Sequence, residues 1–246
     1  MFDIQIEFGF RLLFLILGAC VGSFVTMASY RLVQENKAIG KRSHCPKCKK
    51  TLKVRSLIPI FSWLFQKGRC THCKEKISIR YLIIELITSI LFLITYFKLS
   101  LTWDLAIAYL IITTLMIMIV TDIEKRIIPD SIQIFLAIMS FVYIIFYKIS
   151  MSERLISAII YFSLIYSICW IISKIKKQEV IGGGDIKLMT ISGLFLGIAN
   201  ISEFLFLSGS IGLILALSWR QITGQKRFPF GPAIAISLFL CLYFYN

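Results

Sequence analysis

Two sets of residues in this 246-residue chain could do chemistry. The first is a pair of CxxC knuckles: Cys45 and Cys48 in SHCPKCKK, then Cys70 and Cys73 in GRCTHCKEK, with 21 residues between the pairs. Four thiolates at this spacing can close a tetrahedral site around zinc. Basic residues from Lys41 to Lys53 help keep those thiols deprotonated. A site with four protein ligands has no open position, so the metal would be structural. His44 and His72 flank the cysteines and are read as bystanders. Cys20, Cys169 and Cys241 sit in apolar runs and are read as packing residues.

The second set is a pair of aspartates. Asp122 follows the apolar run LIITTLMIMIVT and opens DIEKRIIPD. Asp185 ends the glycine run of EVIGGGDIKLM. An ionised carboxylate at a membrane boundary is costly unless it faces protein or water. Two carboxylates brought together share a proton. One can then take a proton from water while the other donates to a carbonyl oxygen, which is what hydrolysis of a peptide bond needs. Gly182, Gly183 and Gly184 would let the backbone turn and let a substrate strand approach. The plain alternative is that each aspartate is a helix N-cap. Asp130, after Pro129, is the better candidate for that role. Glu85, Glu203 and Arg11 lie near the ends of apolar runs and are read as snorkelling or paired. Lys187 is read as a snorkelling cation that could also neutralise charge beside Asp185.

These residues must be positioned by apolar helices. The chain is 58% hydrophobic and 16% charged, with mean hydropathy +0.82. A soluble domain would carry roughly a quarter charged residues, and a bilayer span needs about 20 mostly apolar ones. The expected class is an all-α polytopic membrane protein. Spans are expected near 8–29, 81–98, 102–121, 131–149, 155–173, 186–199, 201–218 and 231–246, about eight in all. The first is read as retained, because acidic Asp3 and Glu7 precede it where a signal peptide has a basic leader.

Charge sets the orientation. Residues 31–80 hold 14 of the 27 Lys and Arg against two acids, Glu35 and Glu75. If that loop is cytoplasmic, only Arg11, Lys98, Lys148 and Arg154 fall outside, as the positive-inside rule asks. Both aspartates then lie at the cytoplasmic ends of spans. The net charge of +14 is thereby explained without nucleic acid. Three parts are expected: a first span (1–30), a zinc-binding cytoplasmic loop domain (31–80) and a transmembrane core carrying both aspartates (81–246). Ile58 to Phe65 in the loop are apolar enough to lie on the membrane or dock against the bundle. No internal repeat is evident.

With these motifs in order, the chain resembles the type IV prepilin peptidases, membrane aspartic proteases of the GxGD type. The likeness includes GACVGSF, CPKC, LIPIFSWL, GRCTHC, ISIRYLIIEL, DIEKRIIPD, GGGDIKLM and FPFGP. It implies a catalytic pair at Asp122 and Asp185. It also implies cleavage of type IV prepilins or pseudopilins at the cytoplasmic face of a bacterial inner membrane, after a Gly and before a hydrophobic stretch. Many members also methylate the new N-terminus with S-adenosylmethionine. Such work serves pili, secretion or a competence pseudopilus. Three rivals differ in kind. A presenilin-like intramembrane protease shares GxGD but not the cysteine loop or FPFGP. An ion-coupled transporter would use the aspartates as proton relays, nearer mid-bilayer. A zinc-loop scaffold would have no activity.

Overall fold

The computed structural model describes residues 2–35, 43–45, 47–177, 182–225 and 227–244. Lys41, Arg42 and Pro46 of the cysteine loop, and the last two residues of the expected span 231–246, lie outside them. Among the described residues the fold is helical, with no β-strand beyond two isolated bridges in the cysteine loop. The helices are α1 (Phe2–Tyr30), α2 (Phe61–Phe65), α3 (Arg80–Leu99), α4 (Trp103–Lys125), α5 (Asp130–Phe146), α6 (Met151–Lys176), α7 (Gly183–Leu196), α8 (Ile201–Thr223) and α9 (Gly231–Phe244).

Each expected span coincides with one of these helices. Five segments are long and apolar enough to cross a bilayer: Gln5–Val33, Arg80–Leu99, Trp103–Lys125, Met151–Lys176 and Ile201–Thr223. Helices α5 and α9 are apolar but shorter. With apolar side chains such as Phe8, Ile87, Ile159 and Leu213 pointing outward from long helices, this is an all-α polytopic membrane protein.

The chain forms two compact units, Met1–Ile117 and Met118–Asn246. In the first, α1 and α3 pack closely. A Cβ on Gly18 would lie 2.7 Å from the Ser89 Cα, and one on Gly22 would lie 2.7 Å from the Glu85 Cα. The four-residue spacing of these glycines puts them on one helix face, where absent side chains let two backbones meet. Ser89 donates its hydroxyl to the Leu15 carbonyl at 2.6 Å across this contact.

The second unit is organised around α7. Eight of its residues are buried, among them Leu188, Phe195 and Leu196. It packs against α5, α6 and α9, so it is a core helix with little surface for lipid. Its far end is fixed by Arg154, which donates to the Phe195 carbonyl at 2.9 Å. Its near end carries Asp185.

Two local details set where the aspartates lie. Helix α4 does not stop at 121. The four residues Asp122–Lys125 continue it, since no glycine or proline intervenes, and it ends at Arg126, whose φ is +56°. Asp122 therefore sits inside the last turn. Gly182 is the extended N-cap, and Gly183 and Gly184 form the first turn of α7.

Candidate active site and metal centre

Asp122 is 5% exposed at the C-terminal end of α4. Helix α9 begins at Gly231, whose N–H has no partner within its own helix. That N–H donates to Asp122 Oδ2 at 2.8 Å. The carboxylate thus joins the end of one helix to the start of another. A Cβ on Gly231 would stand 2.7 Å from the same oxygen, so only glycine allows this approach.

Asp185 is the third residue of α7 and is partly buried. Its N–H donates to the Gly182 carbonyl at 3.1 Å, while Gly182 occupies the N-cap without a side-chain bond. Neither aspartate is an N-cap, which removes the plain alternative. A carboxylate in the first turn is also favoured by the helix dipole.

The two aspartates belong to one cluster. Ile128 lies between their supports: its side chain would contact Cβ atoms built on Gly231, at 3.1 Å, and on Gly184, at 3.5 Å. Gln133, buried on α5, donates its amide to the Gly184 carbonyl at 3.2 Å. The three glycines differ in surroundings. A Cβ on Gly182 would meet Asp185 Oδ2 at 3.5 Å, one on Gly184 would meet Gln133 Nε2 at 3.4 Å, and one on Gly183 would meet nothing within 4 Å. None of the three has positive φ. Room, not backbone conformation, is what glycine supplies here.

The neighbouring charged residues stand apart from this cluster. Asp130 is the first residue of α5 and makes no cap bond. Its carboxylate accepts from Lys187 Nζ at 2.7 Å in an exposed ion pair. Lys187 therefore turns to Asp130. Arg11 pairs with Glu7 at 2.8 Å, and Glu203 accepts from the Ser202 hydroxyl at 2.8 Å. Glu85 does not snorkel: it is 7% exposed and accepts from the Ile60 N–H at 2.6 Å. That bond docks the apolar middle of the cysteine loop onto α3.

In the first unit, the ligand atoms of Cys45, Cys48, Cys70 and Cys73 all lie within 4.8 Å of one another. Cys45 and Cys73 sulfurs are 3.9 Å apart, close to the roughly 3.8 Å separation that 2.3 Å metal–sulfur bonds impose in a tetrahedron. The two knuckles share one local design. Lys49 and Lys74 follow them at φ +55° and +59°, and each donates its N–H back to the first cysteine carbonyl, at 2.9 and 3.0 Å. This is a small repeat that the sequence reading overlooked. Lys47 of one knuckle pairs with Glu75 of the other at 2.7 Å.

The backbone N–H groups of Cys73 and His72 draw the Cys70 thiol down to about 7. Although the Glu75 amide pulls the other way, burial and its sulfur neighbours push Cys73 up to about 11. One sulfur ionises readily and the next resists, as crowded thiols that share hydrogen bonds do. Neither histidine belongs to the cluster.

Comparison with known proteins bears on this arrangement. Residues 16–99 match the bacterial peptidase A24 N-terminal domain, and residues 109–217 match the type IV leader peptidase family. A prepilin leader peptidase/N-methyltransferase of Bacillus subtilis (strain 168) is 35% identical over 230 residues, covering 89% of this chain and 88% of the relative. The chain belongs to the type IV leader peptidase family. The enzyme of the same name from Neisseria gonorrhoeae is 28% identical over 248 residues, covering 90% and 86%. The type 4 prepilin-like proteins leader peptide-processing enzyme of Escherichia coli O78:H11 is 30% identical over 211 residues, covering 82% and 75%. No solved structure shows a significant match. Family membership accounts for an aspartate cluster and a cysteine cluster in one membrane chain, which neither the transporter nor the scaffold reading does.

Proposed function

We propose that this chain is a membrane aspartic endopeptidase that cleaves the leaders of type IV prepilins or pseudopilins, with Asp122 and Asp185 as its catalytic pair. The observation that carries the assignment is the cluster itself: two carboxylates on different helices whose flanking glycines, Gly231 and Gly184, face the same Ile128 side chain, neither used as a helix cap. One carboxylate takes a proton from the attacking water, and the other donates to the scissile carbonyl oxygen. Collapse of the tetrahedral adduct returns a proton to the leaving amine. The Gly231 N–H holds the Asp122 carboxylate in place through Oδ2. The open side of Gly183 supports a reading of the glycines as the place where an extended substrate backbone passes.

In this reading, residues 1–30 are the first span, 31–80 the zinc-binding loop domain and 81–246 the peptidase core, with about eight helices in the bilayer. The cysteine loop and the aspartates face the cytoplasm of a bacterial inner membrane, as the distribution of Lys and Arg favours. The prepilin's own apolar helix shares the membrane, so its leader junction arrives at the boundary where the aspartates lie. The metal is zinc, held by Cys45, Cys48, Cys70 and Cys73. Four thiolates leave it no open position, so it ties the loop together and takes no part in hydrolysis.

The relatives are named as N-methyltransferases as well, and we extend that activity to this chain. The donor would be S-adenosylmethionine, which supplies a methyl group on a cationic sulfur. A cavity of about 590 Å³ in the first unit, with the buried Glu85 in its wall beside Arg31, Lys47, Lys76 and Arg80, has the size to take it. To test the function, the detergent-purified protein is incubated with a prepilin leader peptide and methyl donor. Mass spectrometry should find the leader released and the new N-terminus heavier by one methyl group. An intact peptide would refute the peptidase reading.

A further inference from the structure

Helix α2 and the residues before it divide their side chains between two directions. Ser62, Trp63 and Gln66 turn inward and line the cavity of the first unit. Val54, Leu57, Ile58, Phe61, Leu64 and Phe65 are exposed, Val54 by 75% and Phe65 by 84%. Phe61, Leu64 and Phe65 follow the i, i+3, i+4 spacing that puts residues on one helix face. A run of exposed apolar side chains rimmed by polar ones marks an interaction surface, for protein or for membrane.

The level of this segment is set by α3. The Ile60 N–H donates to Glu85 Oε2 at 2.6 Å. Glu85 lies inside a helix long and apolar enough to cross a bilayer, which begins at Arg80. At 1.5 Å per residue its backbone is about 7–8 Å below Arg80. On α1, Gly22 faces the Glu85 Cα, and the next charged residue is Arg31, about 13 Å further along. The glutamate side chain leans back toward the N-terminus of α3, which brings Ile60 to the headgroup–acyl boundary. Interfacial helices bury their apolar face there, roughly 5–10 Å deep. The same turns of α3 present exposed Ile83, Leu86 and Ile87, so the segment is held beside the apolar surface of a spanning helix. It is also stiff. Trp63 donates its indole N–H to the Ile77 carbonyl at 3.3 Å. Gly68, at φ +63°, lies so close to the indole that a Cβ there would stand 2.8 Å from its ring. The Gly68 N–H donates to the Trp63 carbonyl at 2.9 Å, and its carbonyl accepts from the Ile77 N–H at 2.7 Å.

Charge accompanies the apolar run. Residues 50–69 contain five Lys and Arg, all exposed, and no Asp or Glu. Lys53 and Arg55 flank Val54, and Lys67 follows α2. Rings and aliphatic side chains enter the acyl boundary, while Lys and Arg beside them reach anionic headgroups. An apolar protein helix would leave those cations unused. We propose that the segment from Val54 to Phe65 is an interfacial wedge. It inserts into the headgroup layer of the bilayer that α1 and α3 span, with Lys53, Arg55 and Lys67 on anionic phospholipid headgroups. The wedge holds the cysteine loop against the membrane at the level of Glu85. The inference needs α1 and α3 as spans and no catalytic assignment.

The test uses the full chain in nanodiscs of equal parts phosphatidylcholine and phosphatidylglycerol. The photoreactive residue p-benzoylphenylalanine replaces Phe65 in one preparation and Lys74, exposed on the second knuckle, in another. Each is matched to the unlabelled chain in melting temperature. After irradiation, mass spectrometry of the intact protein identifies what was captured. Position 65 should capture phospholipid at least fivefold more than position 74, and phosphatidylglycerol at least twofold more than phosphatidylcholine. With Lys53→Gln, Arg55→Gln and Lys67→Gln combined, lipid capture should persist and the headgroup preference should vanish. No lipid adduct at position 65, adducts to a second copy, or equal lipid capture at both positions would overturn the wedge. Lipid capture without headgroup preference in the otherwise native loop would overturn the role of the three cations. A prepilin peptide that includes its apolar segment, added in excess, should leave the lipid adduct unchanged. Replacement of that adduct by a peptide adduct would give the surface to the substrate and overturn the proposal.

Discussion

Gly231 donates its backbone N–H to Asp122 Oδ2 at 2.8 Å, joining residues 109 positions apart. The bond places a carboxylate at the end of α4 against the first turn of α9, and it tolerates no side chain at 231. Gly231→Ala should therefore displace Asp122. A misplacement of about 1 Å can cost on the order of 100-fold in rate, and we expect a loss of leader cleavage of that size with zinc content and insertion retained. Gly209→Ala, where a Cβ meets nothing within 4 Å, is the matched control and should cleave normally. Equal rates for the two variants would show that the Gly231 contact does not serve the site.

The glycines before Asp185 separate substrate room from packing. Gly183→Val projects into open space, so cleavage should fall sharply while the thermal midpoint holds. Gly184→Val meets Gln133 and Ile128 and should lower both. Overpacking of this kind typically costs about 1–3 kcal/mol. The comparison is read from melting curves beside turnover. Cleavage at the wild-type rate by Gly183→Val would reduce the run to a linker.

Asp130 provides the contrast among the aspartates. Its pair with Lys187 is exposed on both sides, and such pairs contribute about 0–1 kcal/mol. Asp130→Asn should change stability by less than that and cleavage by no more than a few-fold. A complete loss of activity would mean that the catalytic pair has been misassigned.

The cysteine cluster predicts about one zinc per chain by elemental analysis, because four thiolates close one site. Stripping the metal should expose four alkylatable thiols and lower the melting temperature, since binding energy in such sites is folding energy. Each Cys→Ser variant should lose both metal and stability. A metal-free preparation with unchanged melting would remove the site.

Much of this was legible in the sequence because the signals are local. The CxxC spacing led directly to the sulfur cluster, and the apolar runs led to the long helices. Asp122 and Asp185 stood out as charge at the edge of apolar segments. What was not legible depends on contacts between distant elements. FPFGP was noticed only as part of a likeness, because nothing local shows that the Gly231 N–H meets Asp122. Gln133 looks like any polar residue in an apolar helix until α5 is seen beside Gly184. Glu85 looked like a snorkelling or paired residue at a helix end. Its burial follows from the loop, where Ile60 folds back to reach it.

The central claim is that Asp122 and Asp185 carry the hydrolysis together. The direct measurement is turnover of a prepilin leader peptide by Asp122→Asn and Asp185→Asn, each purified in detergent and matched to wild type for zinc content and melting temperature. Asn keeps the size and hydrogen-bonding reach of the side chain but can neither hold nor pass the proton. Both variants should show no cleavage above the enzyme-free background, while wild type releases the leader. Near-normal turnover by either variant, with fold and metal intact, would contradict the account.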